Sequence, residues 1–98
     1  MTSEHQSTYA RTHELQGDLL AFVLGPEIEA VLSHALAGSS GRAAKTLVKE
    51  GPLSVTLAGV RAGVQLEEHS AAGPVVVQGL RGIARVTAGG NEVEVGPG

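Results

Sequence analysis

The chain has 98 residues, a formal net charge of -3 from seven Lys+Arg against ten Asp+Glu, no cysteine, and two aromatic residues, Tyr9 and Phe22. That length has room for one compact core and no more. Disulfides, thiolate nucleophiles and Cys-type zinc sites are excluded, and the acidic balance with so few aromatics provides neither a basic footprint nor stacking platforms, so no nucleic-acid partner is expected.

The N-terminal stretch from Met1 to Tyr9 is polar and lacks the basic start and apolar run of a signal peptide. No stretch of the sequence approaches the ~18 consecutive apolar residues of a membrane span, so a soluble, cytoplasmic chain without a membrane partner is the expectation. Residues before Asp18 read as a mobile arm, and Leu19 to Leu24 is an apolar run too short to classify by period. Between Pro26 and Ala37 the residues Ile28, Val31, Leu32, Ala35 and Leu36 recur at i, i+3, i+4, i+7 and i+8, one stripe on one helix face. Pro26 suits the first turn, Glu27 and Glu29 sit where the helix dipole favours negative charge, and Gly38 is a C-terminal stop.

After Gly41 the period changes from 3.6 to two. Ten of the fourteen glycines lie from Gly51 onward, so turns crowd the second half. Arg42 to Lys49 alternates in part; Gly51-Pro52 then breaks it from Leu53 to Leu57, whose apolar and polar residues alternate cleanly. Val64 to Glu67 continues the alternation, Val75 to Val77 is a β-branched run, Ile83 to Thr87 follows Gly82, and Glu92 to Val95 follows Gly89-Gly90-Asn91. Short strands joined by glycine turns predict an antiparallel sandwich or barrel, since no crossover helix fits between them.

Several chemistries drop out. Gly38-Ser-Ser-Gly41-Arg-Ala-Ala-Lys45-Thr46 imitates a phosphate loop, but Ala44 stands where a glycine should precede the lysine, and a strand is predicted to follow. Ser39, Ser40 and Ser70 lie in no nucleophile-elbow pattern. Arg42, Lys45 and Lys49 read as the solvated face of an amphipathic strand. His5, His13 and His34 read as solvated side chains, whereas His69 follows Glu67-Glu68 and precedes the turn Ser70 to Pro74, a place from which a side chain can face a barrel mouth.

Gly63-Val-Gln-Leu-Glu-Glu-His69, the downstream Val75-Val-Val-Gln78-Gly-Leu-Arg-Gly82 and the closing Val93-Glu-Val-Gly96-Pro-Gly98 resemble the first conserved motif of the cupins, and Gly41 to Lys49 resembles small bacterial members of that superfamily. The likeness spans Gly41 to Gly98. It implies a mainly β fold, an antiparallel jelly-roll or cupin-like β-barrel incomplete at its C-terminus, with one N-terminal helix. Residues 1–40 would be the arm and amphipathic helix and residues 41–98 the cupin-like sandwich half of a single domain. Many cupins hold a divalent transition metal through three histidines and a glutamate, which makes Fe, Mn, Zn or Ni the cofactor to expect. Only His69 falls on a ligand position: the second histidine position is Ala71 and the glutamate position is Val75. The resemblance also implies closing strands beyond Gly98, supplied by further chain or by a partner, so a homodimer or higher homo-oligomer is expected.

Strict alternation puts Val64 and Leu66 on one face and Glu67 and His69 on the other, while the resemblance requires His69 inward; a bulge at Glu67-Glu68 reconciles the two. Three functions follow. The first is a small-molecule or weak metal-binding module with His69 as inward anchor and metal ligand, Gln78 as a weak amide ligand, and Val75, Val77 and Leu57 as walls. The second is a metal-dependent oxygenase or isomerase completed by ligands outside this chain, its catalytic residues unassigned. The third is a non-catalytic structural or regulatory assembly subunit whose barrel is filled with side chains.

Overall fold

The computed structural model describes residues 15–66 and 73–98. They form one helix, α1 (Leu24–Ala37), and four strands, β1 (Arg42–Glu50), β2 (Leu53–Val60), β3 (Ala84–Ala88) and β4 (Asn91–Val95). β1 pairs with β2 and β3 with β4, each pair antiparallel, giving two separate two-stranded sheets. The protein is therefore mainly β with one N-terminal helix, and its described strands close no barrel. Among the described residues no helix is long and apolar enough to cross a membrane. The chain divides into two compact units, residues 1–67 and 68–98.

In the first unit the helix forms where the 3.6-residue stripe predicts it. Val31 and Ala35, one turn apart, are fully buried, with Ile28 and Leu32 half-buried beside them. Leu36, the last residue of the stripe, is 62% exposed, because the helix stops at Ala37 and leaves nothing to cover it. The Gly38 N–H closes the helix on the His34 carbonyl at 2.9 Å. The chain then turns sharply through Gly41, at φ 73°, where a side chain would strike Val64 and the Arg61 guanidinium. Arg61 locks this corner from the other side: its backbone N–H donates to the Gly41 carbonyl at 2.7 Å and its Nη1 to the Gly38 carbonyl at 3.3 Å.

α1 lies on the face of the β1–β2 hairpin that carries Lys45, Leu47 and Gly59, all buried. Gly59 is the point of closest approach, since a Cβ there would come within 2.9 Å of Val31 Cγ1. The hairpin loop is Gly51-Pro52, with Gly51 at φ 55°, and glycine at the first central position is what a type II′ hairpin loop requires. The register slips between Thr46 and Val48, so Leu47 is an extra residue, a β-bulge that keeps its side chain in the core next to Lys45.

Four readings of the sequence change here. Lys45 is not on a solvated face: its side chain is 8% exposed, and its Nζ donates to Glu27 Oε1 at 2.6 Å, tying the first turn of α1 to the middle of β1. The end of the N-terminal arm is anchored, because the Lys49 N–H donates to the Leu15 carbonyl and the Gly17 N–H to Glu50 Oε1, both at 2.9 Å. Residues 64–66 form no strand; a turn in which the Val64 N–H reaches the Arg61 carbonyl, with Gly63 at φ 84°, draws Val64 back against Gly41. Residues 75–77 form no strand either, and Val76 is 92% exposed. β-branched side chains suit a pleated surface, but a strand also needs a neighbour to bond to.

In the second unit β3 and β4 form a hairpin over the two-residue loop Gly89-Gly90, both at positive φ (57° and 80°), the signature of a type I′ turn. The pairs Ala84–Val95, Val86–Val93 and Ala88–Asn91 share one face, while Arg85–Glu94 and Thr87–Glu92 share the other, where Arg85 Nε meets Glu92 Oε2 at 3.0 Å. Gly79 joins the end of β4: its carbonyl accepts the Gly98 N–H at 2.9 Å, and it bridges Pro97 in parallel. A side chain at 79 would collide with the Gly96 backbone.

Glu27→Ala is expected to lower the stability of the first unit by about 2 kcal/mol, because it takes the carboxylate away from an ammonium held out of water. The double variant Glu27→Leu/Lys45→Met should recover most of that loss, and urea melts of the three proteins read both values. Gly59→Ala is expected to cost about 1–3 kcal/mol in the same assay, since Val31 and the helix above it must move.

Candidate functional site

The residues proposed for a ligand site fall in different parts of the structure. His69 lies outside the described residues, as do Glu67, Glu68 and Ala71, so the bulge proposed at Glu67-Glu68 lies outside them too. Leu57 is in β2, half-buried, and pairs across the hairpin with Lys45 on the helix-covered face. Its position belongs to the small core of the first unit.

Val75, Val77 and Gln78 belong to the second unit, where all three are exposed, the valines at 68% and 56%. They form one extended segment leading into Gly79, whose contacts with Gly96 and Pro97 hold the segment at the end of β4. The Gln78 amide, on this exposed segment, is a hydrogen-bonding group in water.

Sequence reasoning did not single out a shallow hollow of about 370 Å³ lined by Arg42, Gly63, Gln65 and Leu66. The sharp turn at Gly41 brings the start of β1 under the chain that leaves β2, and the Arg42 guanidinium donates to the Gln65 carbonyl at 2.7 Å. Ser40 Oγ holds the same corner, accepting the Arg42 N–H at 3.3 Å and donating to the Arg42 carbonyl at 3.1 Å. All four lining residues are exposed, so a molecule resting there would keep much of its hydration. Small-molecule sites generally enclose most of their ligand, and this hollow does not. The phosphate-loop imitation is settled by the same geometry: after Gly41 the chain enters a strand, so no helix N-terminus gathers N–H groups toward an anion.

Among the described residues no group of three or more His, Cys, Asp or Glu side chains could hold a metal ion. The described part of the chain thus supplies no donor set for the divalent metal that the cupin resemblance implies. Comparison with protein-family models, with curated proteins and with solved structures finds no match.

Elemental analysis of the purified protein and of His69→Ala bears on the metal directly. The expected result is no stoichiometric Fe, Mn, Zn or Ni in either, because one imidazole does not hold a divalent ion tightly. Stoichiometric metal in the parent that disappears in His69→Ala would restore the ligand role of that residue.

Proposed function

We propose that this chain is a non-catalytic assembly subunit, a β-rich module whose sheets are completed by another chain. The observation that carries this reading is the distribution of apolar side chains. Among the described residues Val31, Ala35 and Leu47 are the buried hydrophobic ones, while Leu19, Val23, Leu36, Leu53, Val75, Val76, Val77, Ile83 and Val93 are each more than half exposed. Apolar burial is the main favourable term in folding, and the described residues use little of their potential for it. In the second unit no described side chain is buried, and an isolated two-stranded hairpin is at best marginally stable in water. In this reading the run Val75 to Val77 and Ile83, exposed in the second unit, are part of the surface that a partner covers.

The cupin-like binding module is a second reading, distinct from a subunit whose barrel is filled with side chains. The observation that favours it is the pair of antiparallel hairpins joined through glycines at positive φ, the local geometry from which a jelly roll is built. In that form strands from outside the described residues would close the barrel. His69, Gln78, Val75 and Val77 would then face a small molecule or a weakly held metal.

Sedimentation velocity over a wide range of protein concentration tests the subunit reading. The expected outcome is a mass that rises with concentration to at least twice that of the monomer. A stable species that stays monomeric throughout would overturn it. Thermal-shift screening against small molecules tests the binding-module reading, because a ligand bound by the folded state alone raises the midpoint with its concentration.

A further inference from the structure

The β3–β4 hairpin has an edge whose geometry says what fits it. A two-residue loop closes on a hydrogen-bonded pair, so Ala88–Asn91, Val86–Val93 and Ala84–Val95 exchange backbone bonds within the hairpin. The N–H and C=O groups of Arg85 and Thr87 therefore point away from β4. Among the described residues no backbone bond from outside the hairpin reaches either one, and both residues are exposed. The usual guards of an edge strand are missing from β3: it has no proline, no bulge, and one charge, Arg85, which is already engaged by Glu92 at 3.0 Å.

We infer that the outer edge of β3 is a self-pairing surface, and that a second copy of this chain adds its own β3 antiparallel to it about a two-fold axis through Val86. The inference rests on the subunit reading and assigns that reading a surface. Centring on Val86 is the one register that pairs all five residues of the strand: Ala84 with Ala88, Arg85 with Thr87 and Val86 with itself. Arg85 and Thr87 then exchange N–H···O=C bonds with Thr87 and Arg85 of the second copy, which satisfies every outward backbone group between them. On the polar face each cross-sheet row reads Glu92, Thr87, Arg85, Glu94, so no like charges stand opposite one another. On the other face Val93 and Val86 of one copy meet Val86 and Val93 of the other in an unbroken apolar row. A register centred on Arg85 would oppose two guanidinium groups, and one centred on Thr87 would set Arg85 against Gly89 and pair fewer residues. The product is a four-stranded antiparallel sheet, above the threshold at which a sheet with an apolar face supports itself.

The absence of cysteine from the chain makes the test clean. In the proposed register Val86 faces Val86 as a non-hydrogen-bonded pair with Cα atoms about 4.5 Å apart, inside the range a disulfide spans. Ala84 lies roughly 13 Å from its own counterpart, since four residues of strand separate them. Val86→Cys and Ala84→Cys full-length proteins are exposed to oxidised glutathione and run on a non-reducing gel, with circular dichroism to establish that both fold like the parent. Val86→Cys is expected to shift to twice the monomer mass and Ala84→Cys to stay at monomer mass. Thr87→Pro removes one outward N–H and leaves the bonds to β4 in place, so it should abolish the concentration-dependent dimer of the parent. A parent that associates while Val86→Cys fails to cross-link, or cross-links no better than Ala84→Cys, overturns this surface and leaves the subunit reading standing. A parent that stays monomeric, with no cross-linking in Val86→Cys, overturns both.

Discussion

The first unit depends on the seating of Val31 against the bare backbone of Gly59. A helix can lie this close to a hairpin only where the strand offers no side chain, and a Cβ at 59 would meet Val31 Cγ1 at 2.9 Å. That approach places Ala35 and Leu47 out of water and brings Glu27 within 2.6 Å of the Lys45 ammonium. The ion pair contributes less through its own strength than through its direction, because taking two charges out of water offsets most of their attraction. It selects one rotation of α1 over the hairpin, since turning the helix would leave the ammonium buried away from its carboxylate.

What this arrangement leaves exposed is as informative as what it covers. The helix has fewer than four turns with which to shield one face of β1–β2, and Leu36, Leu53 and Val23 stay exposed. The second unit goes further, with Val75, Val76, Val77, Ile83 and Val93 all exposed. The proposed assembly role would add contacts to a core that, among the described residues, consists of Val31, Ala35 and Leu47. The described residues hold no group of three or more metal-ligating side chains, and the hollow beside Arg42 is open to water.

The parts legible in the sequence are those fixed by local rules. The stripe Ile28, Val31, Leu32, Ala35 gives α1, and Gly51-Pro52 and Gly89-Gly90 give both hairpin loops, because each depends on residues a few positions apart. The failures are non-local. Lys45 resembled a solvent-facing lysine until Glu27, eighteen residues earlier, was placed beside it. Val64 to Leu66 and Val75 to Val77 had strand-like side chains but no neighbouring strand, and whether a neighbour exists is a property of topology. The bulge at Leu47 has no glycine to announce it. Of the residues expected at a barrel mouth, Leu57 lies half-buried in β2 opposite Lys45, a position under the helix that alternation alone does not reveal.

The double-glycine corner between β3 and β4 also bears on the order of events in folding. Residues that pair across it are at most eleven positions apart, so little chain entropy opposes closure, and ribbons of this kind zip up in roughly microseconds. Docking α1 onto β2 joins residues nearly thirty positions apart, as Val31 and Gly59 are, and is slower for that reason. The C-terminal ribbon thus closes and reopens quickly, marginal on its own, before the slower docking of the helix completes the first unit.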